Sequence, residues 1–181
     1  MSDLNNARSF SWHYEEEGQG PVLIFLHGWG VDSRVWRQQA KFFSRLLRVM
    51  TIDLPGHGQT PWQPCSLEQI AEGLIQLLDS LKIEQAVFVG SSFGGLLALK
   101  LYDLSPERDI ALSLVGSSPK FCRDEQFPYG LSRERIRKLE DQIRHSFPLM
   151  VNVFFRSLFT IQERRTRRYR WIHTFKQAEK A

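Results

Sequence analysis

A chain of 181 residues with 42% hydrophobic, 12% aromatic and 24% charged side chains has the composition of an ordinary globular protein, which excludes disordered and fibrous classes. Its formal net charge of +4 is too small to mark a dedicated nucleic-acid binder, yet it is unevenly placed: residues 1–120 carry 10 basic and 13 acidic side chains, residues 121–181 carry 14 and 7. Cys65 and Cys122 lack any CxxC spacing, so no disulfide framework or zinc site is expected; with no apolar leader and no membrane-length apolar stretch, a cytoplasmic protein fits.

In chain order, β-branched and aromatic runs predict strands at Phe10–Tyr14, Val22–Leu26, Val49–Ile52, Ala86–Val89 and Ala111–Val115, several of them buried on both faces. Between them lie helical periods over Ser33–Leu47, Leu67–Leu81 and Leu96–Leu104, the second opened by a Ser66/Gln69 capping box. The runs Glu15–Glu17 and Arg164–Arg170 read as solvated faces. Strands alternating with helices of this length require crossovers and therefore a mostly parallel sheet. After Val115 the rhythm changes. Phe121–Gly130 is irregular, and helical patterns follow at Ile136, Leu139 and Ile143 and at Val151, Phe154, Phe155 and Leu158, with no further strand. The expected division is a sheet-bearing core over 1–120 and a helical cap or insertion over 121–181.

Three stretches carry chemistry. Gly90-Ser91-Ser92-Phe93-Gly94 joins an apolar strand directly to a helix, a turn so abrupt that Ser92 is expected in a strained conformation, with side chains at Gly90 and Gly94 excluded by close packing. The strain would hold the Ser92 hydroxyl out at the end of the sheet as a nucleophile. A tetrahedral intermediate then needs two preorganised N–H donors. The candidates are Phe93, which follows the nucleophile, and Trp29, in the His27-Gly28-Trp29-Gly30 loop after the early strand. His27 precedes the serine and sits beside a strand end, so it is expected to brace the loop rather than to act as a base. Asp53-Leu54-Pro55-Gly56-His57-Gly58 is a turn by composition and is expected to be scaffold, with His57 either facing solvent or lining a pocket entrance.

These stretches, in this order, resemble the α/β-hydrolase family over about residues 12–120. More narrowly, Leu26–Gly30, Val35-Trp36-Arg37, Asp53–Gly58 and Ser117-Ser118-Pro119 with Phe121 and Arg123-Asp124-Glu125 resemble the carboxylesterases of biotin synthesis that act on pimeloyl methyl esters held on acyl carrier protein. The resemblance implies an α/β-hydrolase fold with a helical cap, Ser92 as nucleophile, Trp29 and Phe93 as oxyanion donors, and an acyl-enzyme hydrolysed by water, with no metal or organic cofactor needed. It makes Phe154, Phe155 and Leu158, with Phe159, candidates for an acyl channel. The cations Arg144, Arg156, Arg164, Arg165, Arg167, Arg168 and Arg170 become candidates for steering an acidic carrier protein.

The same family places its acid and histidine on loops after late strands, which this sequence lacks; His145 and His173 lie in helical patterns and neither is expected to serve as the base. The chain is accordingly expected to represent the family without its late strands, whether as a fragment, a truncated product or a degenerate homologue, leaving Ala111–Val115 as an open apolar edge. Two alternatives stand beside the esterase reading: a broad-specificity esterase acting on small acyl esters, and a non-catalytic module that binds acyl carrier protein. Nucleic acid and membrane are not expected partners, although arginines alternate with Tyr169 and Trp171. Serine at the elbow disfavours dehalogenase and epoxide-hydrolase chemistry, where the resembling families carry aspartate.

Overall fold

The computed structural model describes residues 10–172. The chain divides into two compact units, 1–117 and 118–181. The first holds a 5-stranded sheet of order β1-β3-β2-β4-β5, built from β1 (Tyr14–Glu17), β2 (Val22–Leu26), β3 (Arg48–Ile52), β4 (Ala86–Ser91) and β5 (Asp109–Val115). Neighbours β3, β2, β4 and β5 run parallel, while β1 pairs antiparallel with β3 in the register Tyr14↔Ile52. The helices α1 (Arg37–Phe43), α2 (Leu67–Ser80) and α3 (Phe93–Leu104) make the crossovers, α1 after a 3-10 turn over Ser33–Trp36.

Alternation along the central strands supplies both faces of the core. Ile24, Leu26, Met50, Ile52 and Phe88 pack against Ile70, Ala71, Leu74 and Leu78 of α2 and Leu97, Ala98 and Leu101 of α3. Leu23, Phe25 and Val49 face the other way onto Trp36, whose ring lies 4.9 Å from that of Phe25. Each fully buried aliphatic side chain is worth roughly 1.5–3 kcal/mol of transfer free energy. The α2 start is fixed as its sequence dictates: Ser66 Oγ accepts from the Gln69 amide at 3.2 Å while Gln69 Oε1 accepts from the Ser66 amide at 3.0 Å.

One strand expectation needs correction. The first strand is Tyr14–Glu17, not Phe10–Tyr14. Phe10 packs on the Cα of Gly73 instead, and Trp12 Nε1 donates to the Gly73 carbonyl at 3.1 Å, so these aromatics cover α2. The glutamates can form the strand because its side chains are exposed and only its backbone is required by the sheet; Glu16 takes a two-point ion pair from Arg48 at 3.0 Å. Strand β5 is the open apolar edge expected of it: its sheet neighbour among the described residues is β4 alone, and Ile110, Leu114 and Val115 are exposed.

The second unit contains α4 (Arg133–Ser157), a 3-10 turn at Glu163–Arg165 and α5 (Arg167–Ile172). The two expected helical patterns form one run, broken at Ser146 (φ −153°, ψ 56°), two residues before Pro148, which lacks the N–H that a continuous helix needs there. Ser132 caps its start by accepting from the Arg135 amide at 3.2 Å. Residues 121–131 form a loop closed by the pair of bonds Arg123 N–H to Leu131 C=O and Leu131 N–H to Phe121 C=O, at 2.9 and 2.7 Å.

Candidate active site

Strand β4 ends at Ser91 and α3 begins at Phe93, so Ser92 is the single residue at which strand becomes helix. It sits at φ 50°, ψ −110°, and the only other non-glycine with positive φ among the described residues is Lys82. A side chain held there costs about 1–3 kcal/mol and persists only where its surroundings over-determine it. They do. The Ser92 amide donates to the Val115 carbonyl of β5 at 2.9 Å, and its carbonyl accepts from the Gly95 and Leu96 amides, each at 3.1 Å. A Cβ on Gly90 would meet the Gly95 Cα and nitrogen at 2.5 Å, and one on Gly94 would run into the Leu26 carbonyl oxygen. Both exclusions match the sequence reading; Gly95 adds a third, its Cα lying against the Ser117 side chain.

Ser92 is half-buried, and its side chain makes no helix-capping bond. Phe93 occupies the first helical position, where no carbonyl one turn back exists to accept its N–H. The loop after β2 lies directly alongside: a Cβ on Gly28 would stand 3.3 Å from the Ser91 oxygen and 3.4 Å from Ser92 Cβ. Gly28 therefore lets the backbone leading to Trp29 approach the elbow. The sheet order puts β2 and β4 side by side, which brings Trp29, Ser92 and Phe93 to the same end of adjacent parallel strands.

Two histidines brace this loop. His27 is fully buried; its Nε2 accepts from the Leu54 amide at 2.9 Å, which puts the ring proton on Nδ1, where it donates to the Gly28 carbonyl at 2.8 Å. His57 does the same on the other side: Nε2 accepts from the Gly30 amide at 3.1 Å and Nδ1–H donates to the Pro55 carbonyl at 3.1 Å. The rings lie 5.1 Å apart. Burial pushes the His27 pKa down to about 4, helped by its neighbour His57, against the Gly28 bond and the charges of Asp53 and Asp32. Burial also lowers that of His57, opposed by its bond to Pro55 and by Asp53 and Asp32. Each ring is thus neutral with both nitrogens engaged, which fits bracing and leaves no nitrogen to take a proton from Ser92. The expectation that His57 faces solvent is corrected: it is packed on His27 because the Gly30 amide needs its acceptor.

Asp53 serves as scaffold. Its carboxylate, buried, accepts from the Ser33 amide and the Gln59 amide, each at 2.8 Å, and lies against Gly58, whose φ of +54° leaves no room for a side chain. Asp32, also buried, caps the 3-10 turn and takes a two-point ion pair from Arg34 at 2.8 and 2.6 Å.

Of the proposed channel residues, Phe155 is buried, Phe154 is half-buried with its ring 5.8 Å from that of Phe155, and Leu158 is exposed. Phe159 stacks edge-on against Tyr169 at 5.1 Å. Among the candidate steering cations, Arg144, Arg156, Arg165, Arg167 and Arg170 are exposed. Arg164 is otherwise employed, donating to the carbonyls of Phe159, at 3.1 Å, and Arg156. The side chain of Arg168 and all of His173 lie outside the described residues; His145 is exposed on α4, its Nδ1 bonded to the Asp141 carbonyl at 2.7 Å. No group of His, Cys, Asp and Glu among the described residues could hold a metal ion, and no helix among them is long and apolar enough to cross a membrane. Sequence reasoning missed the His57–Gly30 bond and the Ser117 wall, because neither tertiary contact leaves a local pattern.

Comparison with known proteins bears on the family and the fold. Residues 21–178 match the family described as alpha/beta hydrolase fold. The chain is 34% identical over 149 residues to a pimeloyl-[acyl-carrier protein] methyl ester esterase of Vibrio campbellii, covering 81% of this chain and 56% of that protein. It is 31% identical over 162 residues to the protein of the same name from Nitrosomonas europaea, covering 90% and 63%. The chain therefore spans little more than half the length of the curated relatives it matches. Among solved structures, an esterase from Exiguobacterium antarcticum superposes with a TM-score of 0.81 at 20% identity, covering 95% of this chain and 65% of that one. A thermophilic esterase from Thermogutta terrifontis gives 0.80 at 21%, covering 92% and 61%. At such identities the structural likeness speaks for the fold.

Proposed function

The chain belongs to the α/β-hydrolase fold family, and from that premise we propose that it carries the nucleophile and oxyanion loop of a serine carboxylesterase acting on the methyl ester of a pimeloyl group held on acyl carrier protein. The observation that carries the reading is Ser92, held at positive φ between a central strand and α3 by neighbours that tolerate only glycine. Backbone strain of this kind clusters at functional sites.

In the proposed reaction Ser92 Oγ attacks the ester carbonyl, and the amides of Phe93 and Trp29 donate to the oxygen as it becomes an anion, a contribution of roughly 3–4 kcal/mol per donor in enzymes where one has been removed. Collapse breaks the bond to the methoxy oxygen, which leaves as methanol with the proton taken from Ser92 by a general base. Water then adds to the acyl-enzyme carbonyl and frees the carboxylate and Ser92. Neither His27 nor His57 is that base. The pimeloyl and carrier-protein specificity is supported by the named relatives at 34% and 31% identity. The charge of residues 121–181, 14 basic against 7 acidic, complements an acidic carrier. We place the acyl chain along Phe154, Phe155 and Leu158.

The test is covalent labelling of this chain by a fluorophosphonate, read by intact mass, together with hydrolysis of carrier-bound pimeloyl methyl ester against short free methyl esters by a full-length version that carries the family's late strands. Labelling that disappears in Ser92→Ala, with faster turnover of the carrier-bound ester, is the expected result. Faster turnover of short free esters would favour a broad-specificity esterase. An unreactive Ser92 combined with salt-dependent binding of the carrier would favour the binding homologue.

A further inference from the structure

The Gly28–Gly30 loop must place an amide beside Ser92 to within a fraction of an ångström, yet it is rich in glycine and has little stiffness of its own. Its far end is tied to the neighbouring turn by the bond from the Gly30 amide to His57 Nε2 at 3.1 Å. His57 is in turn fixed by its Nδ1–H bond to Pro55 and by the His27 ring at 5.1 Å, and the His27 ring holds the near end of the loop through the Gly28 carbonyl. The turn that bears His57 is itself anchored, since Gly56 N–H donates to the Thr60 carbonyl at 3.1 Å and Thr60 N–H donates back to His57 C=O at 3.1 Å.

We propose that His57 is a positioning residue for the oxyanion loop: by accepting the Gly30 amide it sets the placement of the Trp29 backbone against the elbow at Ser92. This rests on the reading of Trp29 as an oxyanion donor. The device works only with a neutral ring, because an imidazolium has N–H donors at both nitrogens and would turn an N–H toward the Gly30 N–H. The charged and titratable groups facing the ring are His27 from the loop after β2, Asp32 with its partner Arg34 from the 3-10 turn, and Asp53 from the end of β3. The carboxylates favour a proton on His57; burial opposes it and sends the titration below the ordinary histidine range. As pH falls through that titration the clamp opens, and Trp29 follows Gly30.

The test is nuclear magnetic resonance on the intact chain, recording the Trp29 and Gly30 amides and the His57 ring nitrogens as pH is lowered. Both amides are expected to titrate with the His57 ring. In His57→Phe, which keeps a flat ring but has no acceptor, Gly30 amide exchange is expected to speed up ~5- to 10-fold, the worth of one hydrogen bond. His57→Gln, which offers a carbonyl at similar reach, is expected to restore protection and the wild-type Trp29 shift while abolishing the titration. A Trp29 amide that ignores both the titration and the His57→Phe substitution would overturn the proposal, since His57 would then anchor only its immediate partner. These readouts require no turnover, so an unreactive Ser92 would refute the esterase reading while leaving the loop result legible.

Discussion

His27 accepts from the Leu54 amide at 2.9 Å and donates to the Gly28 carbonyl at 2.8 Å, so a single buried ring ties the end of β2 to the end of β3. Both bonds need the neutral form with its proton on Nδ1, and that requirement makes folding proton-linked. In the unfolded chain His27 titrates near 6.5; burial, then His57, brings it to about 4 in the folded one. Between those values the unfolded state binds more protons. The contribution is therefore complete above pH 6.5 and is lost as pH falls toward 4, on the order of 3 kcal/mol at most. Urea unfolding at a series of pH values is expected to show this slope, and His27→Asn to flatten it.

Asp109, at the start of β5, works in the opposite sense. Neither carboxylate oxygen finds a hydrogen-bond partner among the described residues, and burial, then the charge of Glu107, raises its pKa to about 6 from 3.8. Here the folded state binds the extra proton, so the contribution is present below pH 3.8 and declines as pH rises through 6. Asp109→Asn removes the charge at constant shape. It is expected to raise the urea midpoint at pH 7.5 and to leave it unchanged or lower at pH 4; a lower midpoint at pH 7.5 would mean that the carboxylate has a partner.

The strain at Ser92 separates two substitutions that both remove its hydroxyl. Ser92→Ala keeps a Cβ at φ 50° and is expected to leave stability unchanged, whereas Ser92→Gly relieves the conformation and is expected to add about 1 kcal/mol. Thermal unfolding of the two variants side by side decides it, and equal midpoints would show that the turn stores no strain.

Gly94 and Gly116 distinguish a steric need for glycine from a conformational one. A Cβ at Gly94 collides with the Leu26 carbonyl, and backbone cannot rotate aside, so Gly94→Ala is expected to cost more than ~3 kcal/mol or to prevent folding. Gly116 has φ +57° with nothing within 4 Å of its missing Cβ, so Gly116→Ala is expected to cost only about 1 kcal/mol.

What the sequence made legible was whatever is written locally. Short β-branched and aromatic runs marked β2, β3 and β4, the Ser66/Gln69 pair marked the start of α2, and the glycines flanking Ser92 marked the elbow, because each pattern lies within a few residues of the structure it causes. The first strand was misplaced because Phe10 and Trp12 look like strand residues, while their partner is Gly73 of a helix. Its true residues, Tyr14–Glu17, are hidden by charge, since an edge strand with exposed side chains has no apolar requirement to betray it. His57 was open to two readings because its role is set by Gly30, on another strand's loop.

The bond from the Ser92 amide to Val115, and the packing of Ser117 on Gly95, have a meaning for the order in which the protein is made. The conformation of Ser92 is locked by residues translated after it. A nascent chain that has extended through α3 possesses the elbow's whole sequence but not its outer wall. The serine is therefore held in its strained geometry only once β5 has emerged and docked, so the strand-to-helix turn at Ser92 is completed late in synthesis.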